Sequence, residues 1–222
     1  MRAPDLSAVQ ALVFDLDGTL IDSQQDLVLS VNAMLVELGR ARLPDETVSS
    51  YIGQGAPTLV RRALGEATEE EAERGLAFFL GYYEEHRMDH TRAYPGVSEA
   101  LAALGNYSMA VLTNKPVRIS RRILEELGLA PRFRAIYGGN SFASKKPDPL
   151  GVHTILAEFG VAARNTLVVG DSEIDVQTAR NAGAWAASVR YGFGVHDHEA
   201  FPADVYLDRL TDLVPLLGNH RV

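Results

Sequence analysis

From Tyr94-Pro95-Gly96 onward, short apolar runs alternate with helical stretches, and no other feature narrows the possible folds so far. The runs are Met109-Ala110-Val111-Leu112, Ala135-Ile136-Tyr137, Leu167-Val168-Val169, Ala186-Ala187-Ser188-Val189 and Val205-Tyr206-Leu207. A further run over about residues 9–14 stands far upstream of them. Continuous apolar strands separated by helices specify a parallel sheet covered on both faces. Ligands of such sheets sit beyond the carboxyl ends of the strands, so chemistry is to be sought in the residues that directly follow each run.

Between the first run and the rest lies a helical segment. Leu27, Val31, Leu35 and Leu38 recur at spacings of four and three and mark one helix face, which Gly39 closes. Pro44-Asp45-Glu46 reads as a new helix start. Gly53-Gln54-Gly55 interrupts, and Leu59, Val60, Ala63 and Leu64 resume the pattern. Thr68 with Glu71 three residues on reads as a capping box, opening a helix that buries Ala72, Leu76, Phe79, Leu80 and Tyr83. The expected architecture is α/β: a doubly wound parallel sheet core over about residues 1–20 and 92–222, with a small helical domain over about 21–91 inserted after the first strand.

The chain has 222 residues, 46% of them hydrophobic, which suffices for a large core. Its formal net charge of -8 argues against nucleic acid as a partner while allowing a small anion held at one positive point. Without cysteine there is no disulfide framework, thiolate metal site or thiol nucleophile. Met1 to Gln10 does not read as a signal peptide, and no stretch approaches the length of a membrane-spanning helix. The expected setting is the cytoplasm.

Asp15-Leu16-Asp17-Gly18-Thr19 follows the first strand. Gly18 breaks the strand, so Asp17 falls on the first turn and both carboxylates approach one point. Such a pair holds a cation or divides the roles of nucleophile and acid; a bare Asp-x-Asp is equally a strand running into a polar turn. Thr113-Asn114-Lys115 ends the second strand, with a hydroxyl and an amide able to donate to phosphate oxygens, although both residues are ordinary turn formers. The chain has three lysines, and two of them stand in Lys145-Lys146-Pro147-Asp148-Pro149. Asp171 and Asp175, in Gly170-Asp171-Ser172-Glu173-Ile174-Asp175, sit at a helix start, where acids are also favoured by the helix dipole.

These four segments, in this order and each at a strand end, resemble the four signatures of the haloacid dehalogenase superfamily of phosphatases. The resemblance covers essentially the whole chain and implies a Rossmann-like core with a helical cap. It also implies a magnesium-dependent phosphomonoester hydrolase. Asp15 would be the nucleophile, and Asp17 the general acid and base. Asp15, the main-chain carbonyl of Asp17, and Asp171 would hold Mg2+. Asp175 would act through water or by holding Lys146. Thr113, Asn114 and Lys146 would bind the phosphoryl group. The second proline of the third signature selects Lys146 over Lys145, and Pro147 is a candidate for a cis bond.

Gly53, Gln54, Gly55 and Arg62 resemble the cap of phosphoglycolate phosphatases, as does Tyr191-Gly192-Phe193-Gly194 in the core. Arg62 is then a candidate partner for a small carboxylate. This implies 2-phosphoglycolate as substrate. A sugar phosphate, pyrophosphate or a nucleotide is the alternative within the same chemistry, and a monomer or homodimer is expected. No histidine lies between Asp22 and His86, which disfavours a phosphomutase, and Asp17 disfavours a dehalogenase. A receiver-type signalling module would be shorter and carry no cap. A non-catalytic scaffold would not need the full residue set. His86 with His90, and His196 with His198, read as surface pairs, and Trp185 as packing.

Overall fold

The sheet is built from residues that have nowhere else to go. All four residues of the first strand, Ala11–Phe14, are buried, and they alternate between two hydrophobic clusters: Leu12 and Phe14 in one, Ala11 and Val13 in the other. The computed structural model describes residues 6–194 and 197–218, so His196 and the first five residues of the Met1–Gln10 segment lie outside the described residues.

In chain order the elements are β1 (Ala11–Phe14), β2 (Ile21–Asp22), α1 (Gln24–Glu37), α2 (Asp45–Ser49), α3 (Ala56–Leu64), α4 (Glu69–His86) and β3 (Arg92–Ala93). There follow α5 (Val97–Ala103), β4 (Ser108–Leu112), α6 (Val117–Glu126), β5 (Ala135–Tyr137), α7 (Leu150–Phe159) and β6 (Thr166–Gly170). The last are α8 (Glu173–Ala182), β7 (Trp185–Val189), β8 (Val205–Leu207) and α9 (Leu213–Gly218). Six strands form one parallel sheet in the order β5-β4-β1-β6-β7-β8. The chain winds outward from β1 through β4 to β5, then returns to the other side of β1 for β6, β7 and β8. The winding direction therefore reverses between β1 and β6, and the crevice beyond their carboxyl ends is where an open α/β sheet binds its ligand.

The expected strands are all present, and one pairing was not expected. β2 and β3 form a two-stranded antiparallel ribbon with Ile21 opposite Ala93 and Asp22 opposite Arg92. This ribbon joins the chain leaving the core to the chain returning to it. Between its strands lie only helices, α1 to α4. The carboxylate of Asp26, buried near the start of α1, accepts the N–H groups of His90 (2.9 Å) and Thr91 (2.8 Å) and the Thr91 hydroxyl (2.7 Å). A buried carboxylate is stable only when so satisfied, and here it ties the start of the helical layer to its end.

The capping box forms: the Glu71 N–H donates to Thr68 Oγ1 and the Thr68 N–H to Glu71 Oε2, both at 3.2 Å. Of the residues expected to be buried on α4, Ala72, Phe79 and Tyr83 are, while Leu76 and Leu80 are half-buried at the edge of the cluster. Gly75 is also buried, and a Cβ there would stand 3.2 Å from the side chains of Leu64 and Met34. His86 ends α4 and pairs with Asp89 at 2.8 Å, and His90 lies beyond the helix, so they do not share a helical face. Trp185 packs against the core and donates its indole N–H to the Arg164 carbonyl.

Candidate active site

Asp15 directly follows β1, its N–H held by the Val169 carbonyl of β6 at 2.9 Å. The chain then turns within a few residues: the Leu20 N–H donates to the Leu16 carbonyl and the Gly18 N–H to the Ile21 carbonyl, each at 2.9 Å. Gly18 takes φ +80°, and a Cβ there would stand 1.9 Å from Asp171 Oδ2. Only glycine supplies both the backbone angle and the clearance. Asp171 follows β6, the strand beside β1, so the two carboxylates meet across one strand gap. Asp175 lies on the first turn of α8, where it accepts the Ser172 hydroxyl (2.7 Å) and N–H (3.2 Å).

Oxygen atoms of Asp15, Asp171 and Asp175 all lie within 4.8 Å of one another. Lys146 enters this group from the loop before α7, its Nζ 2.9 Å from Asp15 Oδ1 and 2.6 Å from Asp175 Oδ1. The Lys146-Pro147 bond is cis. Lys145, its neighbour, is exposed. Burial pushes the Asp15 carboxyl up to about 6; Lys146 works against that rise and the Asp175 charge adds to it. Burial also raises Asp171 well above the carboxylate range, with the charges of Asp175 and Asp15 adding to the effect and the Gly194 N–H opposing it. For Lys146, burial opposes the ammonium, but Asp15 and Asp175 outweigh it and its pKa rises. Three carboxylates against one ammonium leave an excess of negative charge in a buried place. A hard divalent cation with oxygen ligands fits that excess.

Asp17 is not part of the trio and has partners of its own. Its carboxylate accepts the Ser23 hydroxyl at 2.5 Å and lies 2.8 and 3.0 Å from Lys115 Nζ. Lys115 is buried, with its ammonium 4.5 Å from the centre of the Tyr83 ring on α4. Burial disfavours that ammonium, yet Asp17 and Tyr83 more than compensate and its pKa rises. Burial holds the Tyr83 phenol up at about 12, so it stays neutral.

Asp15, Asp17, Thr113, Asn114, Lys115 and Asp171 border one cavity, whose far wall is the apolar surface of Ile52, Leu59, Phe79 and Leu80. Thr113 is buried at its edge and accepts the Lys115 N–H at 3.2 Å. Asn114 also borders the cavity. Its side-chain amide is engaged by protein: Nδ2 donates to the carbonyls of Gly53 (3.0 Å) and Lys146 (3.2 Å), and Oδ1 accepts the Lys146 N–H (3.0 Å). It thereby braces the lysine loop against the helical layer.

Gly53 and Gly55 line the cavity, with φ of +115° and +87°. Gln54 and Arg62 do not: both are exposed, and Arg62 donates to Gln54 Oε1 at 3.0 Å outside the cavity. On α3 the buried face is Leu59, Val60, Ala63 and Leu64, which leaves Arg62 on the solvent side. On the core side the loop after β7 closes the cavity. Phe193 and Gly194 line it, and the Gly194 N–H donates to Asp171 Oδ2 at 2.6 Å. Lys115, which the sequence places after the second strand without giving it a role, is a site residue, and so are Ser23 and Tyr83, which the sequence does not single out for the site.

The haloacid dehalogenase-like hydrolase family matches residues 12–189 of the chain. The chain belongs to this family. A curated phosphoglycolate phosphatase of Pseudomonas syringae pv. tomato is 43% identical over 214 residues, 92% of this chain and 78% of the relative. One of Chromobacterium violaceum is 37% identical over 222 residues, 97% of this chain and 99% of the relative. Among solved structures, a predicted phosphoglycolate phosphatase from Haemophilus somnus superposes with a TM-score of 0.89 at 32% identity, covering 94% of this chain and 98% of the other. Membership of this hydrolase family is consistent with the sheet order and with acids after β1 and β6. No helix among the described residues is long and apolar enough to cross a membrane.

Proposed function

We propose that this hydrolase is a magnesium-dependent phosphomonoester hydrolase whose substrate is 2-phosphoglycolate, working in the cytoplasm. The observation that carries the reading is the buried group of Asp15, Asp171 and Asp175 with Lys146 at the switch point of the sheet, beside a separately held Asp17. The substrate follows from the name shared by relatives that match nearly the whole chain.

In this reading Asp15, the main-chain carbonyl of Asp17, and Asp171 hold the cation. Asp175 is occupied by Lys146 and Ser172, and acts by fixing the lysine. Magnesium, when bound, offsets phosphate charge and polarises the phosphoryl group. Asp15 attacks phosphorus, forming an Asp15–phosphorus bond as the phosphorus–alcohol oxygen bond breaks. Lys146 offsets the repulsion between carboxylate and phosphate. Asp17 gives a proton to the departing alcohol oxygen. It then takes one from the water that attacks the aspartyl phosphate, releasing inorganic phosphate and restoring Asp15. The Thr113 hydroxyl orients a phosphoryl oxygen, and Asn114 keeps Lys146 in place. Residues 21–91 act as a cap that closes over the core of 1–20 and 92–222, moving about the β2–β3 ribbon.

Phosphate release from 2-phosphoglycolate, an aryl phosphate and a sugar phosphate, with and without magnesium, tests this. A magnesium-dependent preference for 2-phosphoglycolate is expected. Preference for another ester would overturn the substrate, and no magnesium dependence would overturn the cation.

A further inference from the structure

We infer that Lys115 and Tyr83 form the receptor for the carboxylate of the leaving group, and that this receptor selects phosphate esters of α-hydroxy acids. The inference rests on the 2-phosphoglycolate reading above and names the residues that would make the choice. Arg62, the candidate that sequence suggests for this role, is outside the cavity.

Three observations converge. Among the described residues that line the cavity, Lys115 is the one cation, set among acids, a few neutral polar groups and an apolar wall. Its Nζ lies 2.8 Å from the carboxylate of Asp17, the group that must touch the leaving oxygen. In an ester of the form phosphate–O–CH2–carboxylate, the carboxylate is one carbon from that oxygen, so a partner adjoining Asp17 is within reach and a more distant one is not. An ammonium has three donors, and Asp17 accounts for two contacts. Third, the Tyr83 hydroxyl is buried at 1% residue exposure and makes no hydrogen bond of good geometry; its polar neighbour is the Lys115 ammonium, which stands over its ring and interacts with it only weakly. A buried hydroxyl without a partner is rare and costly unless a ligand completes it. Lys115 comes from the end of β4 and Tyr83 from α4, so a carboxylate bound to both bridges core and cap. An ester with an uncharged tail would leave the remaining ammonium donor and the hydroxyl facing apolar atoms, which rejects it better than shape does.

The test compares kcat/KM for 2-phosphoglycolate and for ethyl phosphate, in which a methyl group replaces the carboxylate. The wild type should prefer 2-phosphoglycolate. Lys115→Met should cut that ratio by roughly 10- to 100-fold, as expected for a lost charge-assisted hydrogen bond. Lys115→Arg should restore much of it, and Tyr83→Phe, which keeps the ring, should lower it by up to about tenfold, mainly through KM. If the variants slow both esters in parallel and keep the wild-type ratio, Lys115 serves only Asp17 and the inference is overturned while the substrate stands. If the wild type itself shows no preference, the substrate reading falls and the inference with it.

Discussion

Asp15 and Asp17 stand two residues apart and have opposite surroundings. Asp15 is packed with two other carboxylates and one lysine, whereas Asp17 is held by a lysine and a serine hydroxyl. Their roles should therefore separate under mutation. Asp15→Asn removes the nucleophile and should lower turnover by roughly a thousandfold or more for every ester. Asp17→Asn should cost roughly 10^2- to 10^4-fold with an alkyl ester, and much less in the first turnover of an aryl phosphate, whose phenolate leaves without a proton. Equal losses in that burst would remove the acid role from Asp17. The acids after β1 and β6 were legible in sequence only together: each alone reads as a polar turn or a helix start, and four such segments in order at strand ends single them out. The role of Lys115 was not legible, since its partner Asp17 is 98 positions away and its other neighbour lies on α4. Arg62 was a candidate because a cationic side chain near two glycines suggests a ligand; the burial of α3 places it on the solvent side, which the sequence alone did not show.

Among the elements, the sheet was readable almost to the residue. β5 and β8 coincide with their apolar runs, β4 and β7 begin one residue earlier, β6 extends by one residue at each end, and β1 begins slightly late. Apolar strands of an α/β core are buried on both faces, so composition alone marks them. The β2–β3 ribbon escaped notice because two-residue strands carry no periodicity and depend on a partner 70 residues on. The loop after β7 also showed its function only in three dimensions. A Cβ on Gly192 would meet the Asp171 Cβ at 2.3 Å and the Gly18 carbonyl at 2.5 Å. Gly192→Ala should therefore push Asp171 and the Asp15–Gly18 turn apart. It should cost about 1–3 kcal/mol of stability by overpacking and weaken activity through cation affinity, read as a higher magnesium concentration for half-maximal rate. Unchanged magnesium dependence would show that the loop merely covers the site.

For the whole molecule, the acidic group couples folding to pH and cation. Asp15 binds its proton more tightly folded than unfolded, at about 6 against 3.8, so its contribution to stability is complete below the lower value and lost as pH rises through the higher. Asp171 is raised in the same direction. In chelator, Tm should fall across that window, and magnesium should raise Tm more at about pH 8 than at about pH 5, because protons compete for the same oxygens. Calorimetry with and without magnesium reads this directly; a magnesium effect that is equal at both values would place the cation elsewhere. The central claim remains chemical: the phosphoryl group passes through Asp15. Rapid acid quenching during turnover of 2-phosphoglycolate, followed by borohydride reduction and peptide mass spectrometry, tests it most directly. An acyl phosphate is reduced to an alcohol and a free carboxylate is not, so Asp15 should be recovered as homoserine. Reduction at a different aspartate, or at none while phosphate is released, would contradict the account.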